Sequence, residues 1–382
     1  MRKNTITFAL SKPINVMKKK QVLISGASIA GLTLAYWLNK YGYRVTIVEI
    51  SSGLRRGGSP IDVRGEALDV ARQMGILEKI KANEFVHTDV LVNAQNETLA
   101  TFSLNTQTEY LGDIELHRDD LVDILYENIP THEVECLFEN RIEKLIQQEN
   151  EIEIGFKNGE SRTFDFVFGA DGTHSSVRKM AFGNEENYSK FFGEYFAIVE
   201  VPDLKPNKPN SGTIYNEPGK MAAIYPFKNT VNAFLVFRSP KLNFDYRNQA
   251  QHKQTLKETF KNSAWRIPEI LDAMIHSDNL YFDEVCQIHM PTWTNGRVAL
   301  LGDAAHAASF HTGMGTSLAM QGATILAKEL HETDNYETAF ANYNETYRPV
   351  VESVQARITR GMNYLVPETE EGIQAFIQRF KK

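Results

Sequence analysis

Apolar and polar positions divide the chain into strand-like runs and helix-like stripes. Gln21 to Ser25 is an apolar run of strand length, and Leu34, Leu38 and Tyr41 then recur at the i, i+4, i+7 spacing of a helix face. Tyr43 to Val48 predicts a second buried strand, ending at Glu49. Glu66 to Met74 predicts a helix stopped by Gly75, residues 86–104 alternate as short strands, and Gly112 to Leu116 leads into a helix near Asp119 to Asn128. Glu133 to Leu137, Ile142 to Gln147, Glu151 to Phe156 and Arg162 to Phe168 predict further strands. Lys157-Asn158-Gly159 provides a hairpin turn between the last two.

Beyond Glu194 the pattern changes. Tyr195 to Val201, Gly212 to Asn216, Met221 to Pro226 and Val231 to Phe237 are strand-like and separated by prolines and glycines, which predicts an antiparallel sheet in a second domain. Helices near Arg247 to Asn262 and Pro268 to His276 follow, then a strand at Phe282 to Met290. Arg297 to Leu301 predicts a return to the first sheet, and a long helix begins near Gly315. Tyr336 to Tyr364 predicts a helix broken near Pro349, and Gly372 to Lys381 a last amphipathic helix. The expected division is an N-terminal extension (1–19), a discontinuous nucleotide domain (20–190 and 280–335) that can include parts of the second sheet, a substrate domain (191–279) and a C-terminal helical segment (336–382).

Composition narrows the function classes. The chain has 382 residues, 42% hydrophobic and 23% charged, with a net charge of −7, which is ordinary for a globular protein and carries no basic footprint for nucleic acid. Cys136 and Cys286 lie far apart without CxxC spacing, as expected of reduced thiols in a cytoplasmic protein. No apolar run reaches the length of a membrane span. The apolar stretch near Phe8 is too short for a signal peptide, and Met17 is a second candidate start.

Three motifs carry chemistry. Gly26-x-Ser28-x-x-Gly31 follows the first strand and opens a helix, and Glu49 ends the next strand 18 residues after Gly31. This is the order of a dinucleotide site: a tight turn, helix N–H groups facing a pyrophosphate, close helix–strand packing, and an acid for ribose hydroxyls. An acid at that position disfavours a 2′-phosphate, and Ser28 stands where a second glycine is usual. Gly302-Asp303-Ala304-Ala305-His306 ends a strand, placing Asp303 where α/β sheets bind ligands, and Gly313-Met314-Gly315 offers backbone N–H groups to an electron-rich ring edge. Asp171-Gly172-x-x-Ser175-x-x-Arg178 follows another strand, with Ser175 as a helix cap and Arg178 within reach of phosphate.

In this order and spacing the three motifs resemble the class A flavoprotein monooxygenases, the group that includes para-hydroxybenzoate hydroxylase, from about Lys20 to about residue 350. Arg55-x-Gly57-Gly58, Asp62-Val63-Arg64-Gly65 and Gly313-Met314-Gly315-Thr316-Ser317-Leu318 are similar to the branch of tetracycline-inactivating monooxygenases. The resemblance implies an α/β fold: a discontinuous Rossmann-like FAD-binding domain with a β-meander, an antiparallel-sheet substrate domain and C-terminal helices. It implies FAD as resident cofactor and NADPH or NADH as reductant. On the cofactor it places Gly26, Ser28, Ile29, Ala30, Gly31, Glu49, Ile50, Arg56, Gly58, Arg118, Asp171, Arg178, Asp303, Gly313, Met314 and Gly315.

The implied reaction is reduction of FAD, addition of dioxygen at C4a to give a hydroperoxyflavin, and hydroxylation of a phenolic or enolic polycyclic small molecule such as a tetracycline. The flavin carries this chemistry, with no side-chain nucleophile. Two other readings remain open at this stage: a flavin oxidase or dehydrogenase without oxygen transfer, and a flavin- or ligand-binding protein without turnover. The family often has a proline shortly before the Gly313 turn, where this chain reads Ala307-Ala308-Ser309-Phe310-His311-Thr312. Arg238 and His311 are candidate substrate contacts. His306 and His311 lack a third ligand in sequence for a metal. Met221, Phe234 and Phe237 are expected in the core, and Trp293 at the turn before the Arg297 strand. The expected assembly is a monomer or weak dimer.

Overall fold

The computed structural model describes residues 19–102, 112–201, 204–205, 210–227, 230–358 and 365–380. Residues 1–18, the candidate start at Met17 among them, lie outside the described residues, as do 359–364. The fold is mixed α/β, built on two large sheets. The first runs in the order Thr294–Asn295, Val298–Leu300, Phe166–Gly169, Gln21–Ser25, Arg44–Val48, Glu135–Leu137. It is parallel apart from the first short strand. Val22, Leu23, Ile24, Val167 and Val298 are fully buried, because helices cover both faces and every position of such a strand faces protein. The helices Ile29–Lys40, Gly315–Glu332 and Tyr336–Gln355 share this core.

The second sheet has seven strands in the order Tyr281–Ile288, Ser189–Glu200, Thr230–Arg238, Lys220–Phe227, Ser211–Glu217, Thr88–Val92, Thr98–Phe102. All pairings are antiparallel except Ser211–Glu217 with Thr88–Val92. Along Thr230–Arg238 the side chains alternate between two cores. Val231, Ala233, Leu235 and Phe237 meet the helices Gln249–Phe260 and Ile267–His276, while Phe234 and Val236 meet the last helix, Glu370–Arg379. Met221, Phe234 and Phe237 are therefore core residues, as expected.

Several boundaries differ from the sequence reading. Arg162 to Phe168 is two strands in two sheets, Ser161–Phe164 and Phe166–Gly169. The chain changes sheets at Asp165, whose carboxylate accepts a 2.7 Å hydrogen bond from the Gln21 N–H. Thr88–Val92, Thr98–Phe102 and Tyr281–Ile288 belong to the second sheet, so the expected cuts at 190 and 280 run through it. The helix Tyr336–Gln355 runs through Pro349 unbroken, because buried Tyr343, Tyr347, Val351 and Val354 keep one apolar face on the core across the proline. The short helix Leu77–Ala82 and the pair Pro60–Val63 with Ile114–His117 carry too few periodic residues to be read in advance.

Trp293 is buried beside His306, Tyr343 and Tyr347. Burial lowers the His306 pKa to about 3, so the ring is neutral in the fold. Since the unfolded ring titrates near 6.5, protons favour the unfolded chain, and stability is lost as pH falls from about 6.5 toward 3. At pH 5 this amounts to about 2 kcal/mol. His306→Leu should flatten that part of the stability-versus-pH curve in chemical denaturation, and an unchanged slope would disprove the assignment.

Candidate functional site

The carboxyl ends of the parallel strands open into a cleft of about 1570 Å³ between the two sheets. The first turn is built by close approach. Gly26 has φ +107°, donates its N–H to Val48 (2.8 Å), and a side chain there would strike the Ala170 carbonyl. A Cβ at Gly31 would collide with the Gly26 carbonyl, so Gly31 sets the turn without lining the cleft. The Glu49 carboxylate accepts from Ala27 N–H (2.8 Å) and Ser51 N–H (3.0 Å), tying the second strand to the turn while facing the cleft beside Ile50.

Ser28 stands at the N-cap of the helix Ile29–Lys40 but does not cap it. Its Oγ accepts a 2.8 Å hydrogen bond from Arg118 Nη2, while Arg118 Nη1 donates to the Arg55 carbonyl (3.1 Å). The serine in place of a glycine thus anchors a buried cation over the helix N-terminus, which remains uncapped by a side chain. Arg118 is packed against Gly58, and burial with Arg55 nearby lowers its pKa to about 10, still cationic at neutral pH. Uncapped helix N–H groups, a cation and the ribose-type acceptor Glu49 fit an adenine dinucleotide pyrophosphate.

The other two motifs arrive at the same place. Asp303 is accessible from the cleft, yet surrounding protein raises its carboxyl pKa, with Arg55 opposing and Asp283 adding to the shift. Gly313 and Gly315 line the cleft beside it, and Asp62 and Arg64, ion-paired at 2.8 Å, lie against Gly313. Ile29 and Ala30 also line the cleft; Met314 does not.

Asp171 lines it too, but its carboxylate is occupied by Ser175 Oγ and by Ser176 N–H (2.9 Å) and Val177 N–H (3.2 Å). Ser175 caps the helix Ser176–Phe182, as expected. Arg178 is fully buried and does not line the cleft. Its guanidinium donates to the Ala304 carbonyl (2.9 Å) and to Glu185 (2.7 Å), bracing the second motif against the third. Arg56 faces outward to Asp123 (2.7 Å); it is the neighbouring Arg55 that lines the cleft, over the Tyr281 ring.

The far wall is aromatic. Phe196 stacks on Phe310 (centroids 5.2 Å apart) and touches Tyr281, and Ile198, Tyr225 and Leu365 continue the surface. His311 lies at its edge with Nε2 2.6 Å from Glu194. Arg238 is not on this wall; it holds Glu194 (2.9 Å), Glu368 (3.2 Å) and the Val366 carbonyl (2.7 Å).

Sequence reasoning missed Arg55, Asp283, Phe196, Phe310 and His174. His174 sits inside the second motif, between Glu185 (2.9 Å) and Asp283 (3.1 Å), which raise its pKa to about 10 against the opposing effect of burial. Only its place in that motif could have pointed to it. Among the described residues, no cluster of three His, Cys, Asp or Glu could hold a metal, and no helix is long and apolar enough to cross a membrane.

A family model described as an FAD binding domain matches residues 19–358. The chain belongs to the FAD-binding class A flavin monooxygenases. A flavin-dependent monooxygenase from an unknown prokaryotic organism is 37% identical over 344 residues, covering 88% of each chain. Tetracycline destructase Tet(51) superposes with a TM-score of 0.84 at 33% identity, over 95% of this chain and 97% of that one. Tetracycline destructase Tet(55) gives 0.80 at 34%, over 95% and 96%. FAD is the family's cofactor, and the uncapped helix, Arg118 and Glu49 fit it. Arg118→Met should weaken FAD binding at least tenfold, about 1.4 kcal/mol for a lost charge-assisted contact. Quenching of FAD fluorescence on titration into apoprotein measures this; an unchanged Kd would remove Arg118 from the site.

Proposed function

We propose that this monooxygenase uses NADPH or NADH to reduce its flavin and hydroxylates a planar, polycyclic phenol or enol of the tetracycline type. The observation that carries the reading is the wall of Phe196, Phe310, Tyr281, Tyr225, Ile198 and Leu365, which lines the cleft and adjoins the Gly313 turn through Phe310. Stacked rings offer a large, flat, apolar surface that suits a fused-ring substrate. The cleft exceeds the size of ordinary small-molecule sites, leaving room for a second molecule beside a dinucleotide. The likeness to two tetracycline destructases supports the same substrate class.

When bound, FAD supplies hydride acceptance and dioxygen activation. The chain's own residues do the rest. Glu49 takes the adenosine ribose, and the helix N-terminus with Arg118 takes the pyrophosphate. Asp303 takes the ribityl side, and the Gly313–Gly315 backbone N–H groups face the pyrimidine edge of the flavin, where negative charge grows on reduction. The aromatic wall orients the substrate and excludes water.

The direct test follows NADPH and NADH oxidation by FAD-loaded enzyme with and without tetracycline, with mass analysis of the product. The expected outcome is substrate-stimulated oxidation and a product heavier by one oxygen atom. Stimulated oxidation without oxygen incorporation would convert the reading to a dehydrogenase or oxidase. Phe196→Ala should raise the KM for tetracycline about tenfold or more with little effect on FAD content, as expected for loss of a stacking ring on the cleft wall.

A further inference from the structure

Beside the Gly313 turn the cleft wall contains a buried charge relay that FAD binding does not need. Where Ser189–Glu200 pairs with Tyr281–Ile288, its register shifts between Phe191 and Tyr195, and Gly193 within that bulge has φ +77°. Bulges re-aim side chains, and the residue re-aimed here is Glu194, which has no exposed surface. One carboxylate oxygen lies 2.9 Å from Nη2 of Arg238, its register partner on Thr230–Arg238; the other lies 2.6 Å from His311 Nε2. A carboxylate buried this deeply is tolerated because a cationic or hydrogen-bonding group meets it on both sides. Arg238 is fixed from behind by Val366 and Glu368.

His311 occupies the short turn Phe310–Thr312, between the Phe310 ring of the aromatic wall and Gly313. With Nε2 donating to Glu194, the neutral ring carries its lone pair on Nδ1. Nδ1 has no partner among the described residues, and His311 lines the cleft. The remaining charged groups nearby are Asp62 and Arg64 against Gly313 and Glu368 beyond Arg238.

We infer that His311 is the proton acceptor for the acidic hydroxyl of the substrate, oriented and charge-balanced by Glu194, with Arg238 as a positioning residue that never meets the substrate. The inference rests on the monooxygenase reading above. In the step, the phenol or enol O–H bond breaks, its electron pair stays on oxygen, and the proton bonds to Nδ1. The imidazolium so formed faces the Glu194 carboxylate. The oxyanion is the electron-rich form of the substrate that oxygen transfer needs, and a base on the cleft wall produces it in place.

Two measurements on FAD-loaded enzyme test this. In 15N-histidine NMR, with His311 assigned by its absence in His311→Ala, the neutral ring should be the Nε2–H tautomer with Nδ1 unprotonated; an Nδ1–H tautomer would overturn the proposal, whatever the substrate. With tetracycline as probe, His311→Ala should lower kcat about 100-fold, at the low end for loss of a general base, with KM nearly unchanged. Added imidazole should restore at least a tenth of the wild-type rate. A kcat within twofold of wild type, or a loss that imidazole leaves untouched, would sink it. Wild-type enzyme inert toward tetracycline would refute the substrate reading alone, because the tautomer still decides the role of His311.

Discussion

The site depends on three parallel strands ending at one level. Gln21–Ser25 pairs with Phe166–Gly169, and Phe166–Gly169 with Val298–Leu300, with Ser25, Gly169 and Leu300 side by side at their carboxyl ends. Backbone hydrogen bonding along this register brings turns separated by well over a hundred residues into one cleft. From these three strands the cleft is reached within a few residues of each carboxyl end, by Gly26 and Ser28, by Asp171 and by Asp303. Arg178 then crosses from the second turn to the third, and its guanidinium fixes their separation.

How much of this the sequence revealed follows from how local each signal is. The first turn was legible because glycine spacing, strand and helix lie within one short βαβ segment, and Glu49 follows at a fixed distance. The two large sheets were legible as runs of apolar residues, but their strand membership was not. Thr88–Val92 joins a sheet whose other strands, apart from its hairpin partner, come more than a hundred residues later, and nothing in its own composition says so. Arg178 and Arg238 were read as ligand contacts because a cation near a motif has two uses, and only three-dimensional packing shows which carboxylate or carbonyl claims it. Arg55 and Arg56 are adjacent in sequence, and the path of the loop between Val48 and Pro60 decides which faces inward. The aromatic wall was illegible for a different reason: Phe196 and Phe310 come from separate elements and meet only in the folded chain.

Charge in the cleft is balanced locally. Arg55 and Arg118 line the cleft together with Asp303, Asp283 and the Asp62–Arg64 pair. Burial raises the carboxyl pKa of Asp303, with Arg55 opposing the shift and Asp283 adding to it. Under the placement proposed above, a cofactor with an anionic middle and a polyol arm would meet the cations with its phosphates and Asp303 with its hydroxyls.

The change of sheets at Asp165 has a consequence for how the chain is made. The first strand begins on a hydrogen bond from Gln21 to a carboxylate 144 positions later, and the sheet it starts gains its last two strands only at Thr294–Asn295 and Val298–Leu300. A ribosome delivers the amino end first, so the first strand presents an open, apolar edge until Phe166–Gly169 emerges, and that strand in turn does so until Val298–Leu300 arrives. Pairings of such long sequence separation form slowly, because loop closure must precede any gain from contact. The most exposed moment in this molecule's life therefore precedes its chemistry: the interval between the emergence of its nucleotide turn and the arrival of the strand that completes it, when a chaperone would have most to shield.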